Sequence, residues 1–292
     1  MTAVAGKKSG SAPSVASTRR SMDWMALLRY ALLLMFSALC LLPILILALT
    51  ALKTEAQIFD TKWSWFFAPT MANFTAVVEE GNIVRNLNNS VIVSIAATVL
   101  TLVFGTLAAY GLARFDFIGR RSFGYATLLL RTIPPAVLAV PVFVIWAGWH
   151  INDTLFGVTL IYVALNLPFT IWLLYGFIEQ LPEELEEAAA IDGCGPFGVF
   201  WRVVLPLLAP GMAAAAIFTF RLAWNEFILS FILTNRYTRT LPASISNYIT
   251  DTGVEWGKIS AAGVLIALPP LIFTFVAAKR IIAGLTAGAV KG

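Results

Sequence analysis

The segment 179–206 concentrates the charged side chains that could take part in chemistry or in docking. It contains one base, Arg202, and the following six acids: Glu179, Glu183, Glu184, Glu186, Glu187 and Asp192. Long apolar stretches lie on both sides of it. An acidic helix is poorly matched to an anionic membrane surface, which attracts basic segments. The alternative, an amphipathic loop lying on lipid, is therefore weaker, and the segment predicts a surface that another protein binds.

Catalytic and metal-binding patterns are absent from the sequence. The single histidine, His150, cannot build a histidine-based metal site. The aspartates that could assist it, Asp116, Asp153 and Asp192, are far apart in sequence. The run from Gly253 to Lys258 is the nearest match to a phosphate-binding loop, but its spacing is wrong. We expect no cofactor on this chain; if ATP is used, another subunit binds it.

Composition places the chain in a membrane. It is 59% hydrophobic and 12% charged, with a mean hydropathy of +0.82. Soluble domains are nearer half apolar and a quarter charged. The net charge of +4 is spread over loops, so it does not indicate nucleic-acid binding.

Six apolar stretches are each long enough to cross the hydrocarbon core. The predicted spans are 28–52, 90–113, 122–146, 155–177, 208–234 and 259–282. Residues 1–27 read as a disordered tail and 286–292 as a short tail. Several prolines interrupt the spans, which packed helical bundles tolerate.

Lys and Arg predict the orientation. With the N-terminus inside, inner segments hold twelve of these bases and outer loops hold six. The excess favours both termini in the cytoplasm and the segment 179–206 on the same side. The long loop 53–87 is rich in aromatic residues, which indicates either an interfacial belt or a surface for an extracytoplasmic partner.

Two short helices are predicted within 179–206. Leu181-Pro182 opens the first, acids favour its first turns, and Gly193 stops it. Four residues share one face by helical spacing: Leu185, Ala188, Ala189 and Asp192. The second helix follows Gly195-Pro196, and Pro206 disrupts or ends it. Its predicted apolar stripe comprises Phe197, Phe200, Trp201 and Val204.

The run Glu187-Ala188-Ala189-x3-Gly193-x9-Val203-x-Leu205-Pro206 resembles the EAA loop of ABC importer permeases, with valine where isoleucine is usual. Four further segments resemble the carbohydrate-importer branch: Leu181 to Leu185, Ile191 to Gly193, Asn89-Ser90, and Trp224 to Phe227. Length and span number are similar to the smaller, maltose-type permease.

The resemblance implies an all-α integral protein of the bacterial cytoplasmic membrane, with six transmembrane helices and a cytoplasmic coupling helix. The transmembrane domain would cover 28–285. Implied partners are a second, larger permease, two ABC ATPases that hold ATP and Mg, and an extracytoplasmic sugar-binding protein. Glu187 would bond to an ATPase, Ala188 and Ala189 would pack in its groove, and Gly193 would permit the turn. Asp192, Leu205 and Pro206 complete the motif.

Polar residues inside the predicted spans are candidates for the pathway, because ionisable groups at bilayer depth are costly and face a cavity or a partner. They are Arg131, Asn166, Arg221, Asn225 and Glu226, with Trp224 as an aromatic that could stack on a sugar. Pairing between helices of two permeases is the alternative.

Three functions follow from these patterns. The first is a sugar-importer permease, and the second is an ABC permease for another solute, such as a polyamine or a glycerol phosphate ester. The third is a membrane-embedded enzyme, which would need a catalytic cluster that the sequence does not display.

Overall fold

The computed structural model describes residues 24–61, 65–251 and 253–289, with side chains as far as residue 275. Most of the predicted tail and Trp63 of the aromatic loop lie outside these ranges. The chain divides into two units between Ile46 and Leu47.

Helices dominate the described residues. In chain order they are α1 (Trp24–Ala51), α2 (Glu55–Ile58), α3 (Ala72–Glu80), α4 (Ile83–Arg114), α5 (Arg120–Leu130), α6 (Pro135–Gly148), α7 (Leu155–Ile178), α8 (Glu184–Ile191), α9 (Pro196–Val199), α10 (Leu205–Leu207), α11 (Ala209–Trp224), α12 (Ile228–Leu233) and α13 (Trp256–Ala289). A π-helical segment, Phe200–Val204, joins α9 to α10. A 3₁₀ turn, Ala243–Tyr248, precedes two antiparallel strands, β1 (Ile249–Thr250) and β2 (Gly253–Val254).

Among the described residues, four helices are long and apolar enough to cross a membrane: α1, α4, α7 and the Trp256–Phe275 part of α13. Two bent pairs raise the number to six if each pair is one span, which agrees with the predicted fold class. The pair α5 and α6 bends by 100° and the pair formed by Pro196–Leu207 and α11 by 72°.

The predicted spans differ from the observed helices at several places. The helix α4 begins at Ile83 and not at residue 90. Residues 24–27, predicted as part of the tail, are helical and belong to α1. The span at 122–146 is broken before Pro135, since proline disfavours helical backbone in the residue that precedes it. The span at 208–234 is interrupted between Trp224 and Ile228, so α11 and α12 are separate helices.

The centre of the second unit is the packing of α4 against α7, with α11 across both. Small residues permit the close approach: a Cβ at Gly105 of α4 would lie 2.8 Å from Cγ2 of Thr170 on α7. The Thr170 hydroxyl is 3.0 Å from that of Thr219 on α11, and both side chains are buried. Close contact and hydrogen bonds between hydroxyl groups are how membrane helices associate without a hydrophobic driving force.

The loops at one end of the bundle are held by polar side chains of α4. Asn89 donates from its amide to the carbonyls of Tyr237 and Arg239 at 2.9 and 3.0 Å. The Ser90 hydroxyl accepts the N–H of Leu241 at 2.7 Å. The Asn89-Ser90 pair therefore holds the segment that follows α12.

Asp153 joins the loop before α7 to the same segment. Its carboxylate accepts the Thr238 hydroxyl, and the backbone and amide N–H groups of Asn235 at 2.8 and 3.1 Å. Burial alone would raise the pKa of Asp153, but these hydrogen bonds outweigh it and the pKa is lowered. A carboxyl whose pKa is lowered by folding stabilises the fold above its unfolded pKa of about 4. That stability is lost as pH falls through the folded pKa.

We predict that Asp153→Asn lowers the melting temperature of the detergent-solubilised protein at pH 6 by about 2–4 °C, the shift expected for roughly 1 kcal/mol. The difference from wild type should shrink as the pH is taken below about 4. The exposed Asp251→Asn is the control and should match wild type throughout. A constant difference between Asp153→Asn and wild type at every pH would contradict the assignment.

Candidate functional site: an acidic helix and a cavity between helix breaks

The helix α8 has defined signals at both ends. Acids occupy its first turn, where the helix dipole favours negative charge. At its end Gly193 has a left-handed φ of 89°. The N–H of Gly193 donates to the carbonyl of Ala190, and the N–H of Cys194 to that of Ala189, both at 3.0 Å. This is the Schellman pattern, and it confirms Gly193 as the stop.

A cluster of Tyr110, Arg114 and Glu186, here called the Arg114 cluster, anchors α8 to α4. The Arg114 Nε donates to Glu186 Oε1 at 2.7 Å, and the Tyr110 hydroxyl donates to Glu186 Oε2 at 2.9 Å. Side-chain exposure is only 10% for Arg114 and 14% for Glu186. Charge-assisted bonds of this length are the strong ones, so Glu186 holds α8 in place.

The opposite side of α8 is exposed. Its residues follow the spacing i, i+3, i+4, i+7: Glu184, Glu187, Ala188 and Ile191. Ile191 is 86% exposed, so this side of α8 presents an apolar side chain beside its acids. We call these four residues the exposed face of α8.

The predicted face of α8 needs correction at Ala189. This residue is half-buried and packs on the cluster of Val199, Phe200 and Val204. Ala188 is exposed, so the two alanines point to different surroundings. The helical rotation that buries Glu186 also turns Ala189, three residues later, toward the protein.

The second helix of the segment also differs from its prediction. Phe200 and Val204 are buried, but Phe197 and Trp201 are 80% and 60% exposed, so the predicted stripe is divided. The π-helical turn changes the angle between successive side chains. Pro206 does not end the helix, which runs through Leu207 and bends at Leu208. Leu205 is partly buried against the same cluster as Ala189.

A second feature is a cavity of about 210 Å³ between two helix breaks. Arg131 lies at the break between α5 and α6, and Glu226 at the break between α11 and α12. Tyr162 and Asn166 of α7 line the wall between them. Polar groups at breaks in membrane helices are a common setting for solute sites in transporters.

Glu226 is held by three hydrogen bonds. Its carboxylate accepts the N–H groups of Leu229 and Ser230 at 3.0 and 3.1 Å, and the Tyr162 hydroxyl at 2.9 Å. It thereby satisfies the N–H groups that the start of α12 leaves unpaired. Asn166 is also constrained, since its amide donates to the Tyr162 carbonyl at 2.7 Å.

Arg131 is the most available charge of this cavity. Its side chain is exposed, and its guanidinium carbon lies 4.5 Å from the centre of the Phe169 ring. A cation over an aromatic face is weakly attracted, so the guanidinium keeps hydrogen-bond donors for a solute.

Three predicted pathway residues lie outside the lining of this cavity. Trp224 is 1% exposed and donates its Nε1–H to the carbonyl of Ile266 at 3.0 Å. It is a packing residue, because a fully buried ring cannot stack on a solute. Arg221 and Asn225 are exposed, and the Asn225 amide bonds to the Arg221 carbonyl. The Asn225 side chain is therefore paired with the backbone of its own helix.

Sequence reasoning missed the roles of Tyr110 and Arg114. Arg114 was counted only for membrane orientation. A base at the inner end of a predicted span, on the same side as an acid-rich loop, is the signal that could have indicated an ion pair. Within the described residues no group of His, Cys, Asp and Glu could hold a metal ion.

The geometry is that of a polytopic helical membrane protein with a short acidic helix and a polar cavity. The chain belongs to the family of binding-protein-dependent transport system inner membrane components, whose model matches residues 101–286.

Relatives agree with that assignment. The diacetylchitobiose uptake system permease protein DasC of Streptomyces coelicolor is 36% identical over 252 residues, covering 86% of this chain and 91% of that protein. The sulfoquinovosyl glycerol transport system permease protein SmoH of Agrobacterium fabrum is 37% identical, with coverage of 86% and 89%. The trehalose transport system permease protein SugB of Mycobacterium tuberculosis is 35% identical, with coverage of 86% and 93%.

Solved structures share the fold. A bacterial ABC transporter involved in the import of the acidic polysaccharide alginate superposes with a TM-score of 0.72 at 20% identity, covering 89% of this chain and 97% of that chain. The MetNI methionine ABC transporter gives a TM-score of 0.59 at 18% identity, covering 69% and 95%. The family model and the relatives show that this chain is a permease subunit of an ABC importer in the inner membrane. It is a transport subunit and not an enzyme, so the enzyme hypothesis is wrong.

We predict that Gly193→Ala increases amide hydrogen exchange across residues 184–194 by about fivefold. A left-handed backbone costs a residue with a Cβ roughly 1 kcal/mol or more. Mass spectrometry of peptides from the solubilised protein measures this. Gly195→Ala is the matched control, since Gly195 has an ordinary φ of −70° and open space at its Cβ. Equal exchange in the two variants would contradict the role of Gly193.

Proposed function

We propose that this chain is a permease subunit of an ATP-driven, binding-protein-dependent sugar importer. It forms half of the pathway and couples to an ATPase through α8. The observation that carries the proposal is the exposed face of α8, at the position of the EAA motif, on a helix anchored from behind by Glu186. The sugar assignment is supported by the relatives, whose names include diacetylchitobiose and trehalose uptake.

In the proposed complex α8 docks in a groove of a cytoplasmic ATPase. Glu187 bonds or ion-pairs with that subunit, Ala188 packs against it, and Ile191 is covered by it. Asp192 lies at the rim of the contact. Gly193, Leu205 and Pro206 shape the turn and the helix that follow. ATP and Mg are held by the ATPase, and this chain holds no cofactor.

The proposed assembly contains a second, larger permease, two ABC ATPases and an extracytoplasmic sugar-binding protein. Both termini then lie in the cytoplasm, on the side where the ATPases bind α8. Membrane lipid surrounds the spans. ATP binding favours one of two packings of the spans, so the cavity opens first outward and then inward.

The cavity between the helix breaks is the part of this chain proposed to face the sugar. Sugar hydroxyls both donate and accept hydrogen bonds. Arg131 supplies donors, while Glu226 and Asn166 supply acceptor oxygens. Arg221, Trp224 and Asn225 are not assigned to it, because they lie outside its lining.

We predict that Glu187→Lys reduces copurification of the ATPase with the permease pair by at least about tenfold. The substitution replaces a charge-assisted bond worth about 1.5–3 kcal/mol by repulsion. Ala188→Trp should have the same effect by blocking close approach. Asp251→Lys is the control and should leave the yield unchanged. Normal ATPase copurification with both α8 variants would overturn the docking proposal.

We predict that Arg131→Gln lowers sugar uptake into proteoliposomes by about tenfold, as expected for losing a charged hydrogen-bond donor worth about 1.5–3 kcal/mol. The assembled transporter and its binding protein are used, with matched Arg221→Gln as control. Uptake is assayed with oligosaccharides, a polyamine and a glycerol phosphate ester. Uptake confined to either of the last two would show the non-sugar alternative to be right, and equal effects of the two variants would contradict the cavity assignment.

A further inference from the structure

Arg114 contacts three separate parts of the chain from the last residue of α4. Its Nη2 donates to the carbonyl of Ile178, at the end of α7, and to that of Leu181, both at 3.0 Å. Its Nε donates to Glu186, and Nη1 lies 3.5 Å from Glu183. One guanidinium therefore joins α4, the end of α7 and α8.

This arrangement requires arginine. The guanidinium plane presents donors in fixed directions, so one side chain can bond a carboxylate and two carbonyls together. Lysine would keep the charge but supply a single nitrogen. Tyr110, one turn earlier on α4, fixes the second oxygen of Glu186, so the carboxylate is held from two directions.

Apart from the Arg114 cluster, few side chains attach α8 to the rest of the protein. Ala189 packs on the cluster of Val199, Phe200 and Val204. Most of the other residues of α8 are exposed. The Arg114 cluster is thus the strongest polar attachment that the structure shows between α8 and a membrane-spanning helix.

The helix α4 reaches the other end of the bundle. Its 32 residues span about 48 Å. Near its start Asn89 and Ser90 hold the segment after α12, and along its length it packs on α7, which carries Tyr162 and Asn166 of the cavity. A displacement applied to α8 through Glu186 would therefore act on a rigid element that contacts both the cavity wall and the far loops.

We propose that Arg114, Tyr110 and Glu186 are positioning residues that transmit movement of α8 to α4, distinct from the residues of α8 that bind the ATPase. The inference rests on the proposed function, since it needs an ATPase docked on the exposed face of α8. It separates two acids adjacent in sequence: Glu187 governs docking, and Glu186 governs transmission.

The test uses the complete transporter in proteoliposomes, with ATP hydrolysis and sugar uptake measured on the same preparation. Glu186→Gln and Arg114→Lys should retain the ATPase in the complex and lower sugar transported per ATP by at least about fivefold, the lower end of typical coupling effects. Tyr110→Phe removes one hydroxyl only and should give a smaller decrease. Because it leaves the ion pair intact, it keeps the test valid if the other variants fail to accumulate.

Asp116→Asn is the matched control, because Asp116 is an exposed acid just after α4 that bonds to Arg120, and it should leave transport per ATP unchanged. The combination of Arg114→Lys and Glu186→Gln should be no worse than either alone, as expected for residues acting as one unit. A purely structural role would lower complex yield and leave the ratio of transport to ATP hydrolysis unchanged, which would overturn the inference. A decrease in sugar transported per ATP that appears only in Glu187 variants would also overturn the inference. ATPase binding that is unaffected by Glu187→Lys would instead overturn the docking proposal.

Discussion

A helical chain in an apolar environment must find a partner for every backbone group that an interrupted helix exposes, and the rest of this structure depends on that constraint. Glu226 pairs with the first N–H groups of α12. Asn89 donates a hydrogen bond to a backbone carbonyl after α12, and Arg114 donates one to the carbonyl of Ile178 at the end of α7. Glu226 also lines the cavity, and Arg114 also holds α8. Two of the residues that bond to unpaired backbone groups therefore also build the cavity or hold α8.

The acidic segment resolves into two kinds of acid. Glu186 is enclosed by Arg114 and Tyr110, where an uncompensated charge would be costly. Glu184 and Glu187 remain exposed on the side where Ile191 presents apolar surface. Acidic side chains close together on one short helix would be expected to repel one another. Here the charge of Glu186 is neutralised by Arg114, and the positive N-terminal end of the helix dipole stabilises the other acids.

Most of the helical framework could be predicted from the sequence, because apolar length and proline position act locally. The break before Pro135 and the stop at Gly193 have local causes of this kind. The interruption after Trp224 was missed. Asn225 and Glu226 are polar residues within the apolar run, but Glu226 stabilises the break only through contacts with α12 and Tyr162, which the sequence does not display. Of the predicted pathway residues, Arg131, Asn166 and Glu226 line one cavity, while Trp224 is a packing residue.

The sequence by itself determined the family, the membrane setting and the presence of a short acidic helix with a glycine stop. Spacing and composition are sufficient for these, because helix caps and hydropathy involve residues close in the chain. Only the tertiary structure decided which face of that helix is available. That choice depends on Arg114, which lies far from Glu186 in sequence and meets it because α4 packs along α7. A pairing between distant residues is set by the packing of whole helices, and no local pattern specifies it.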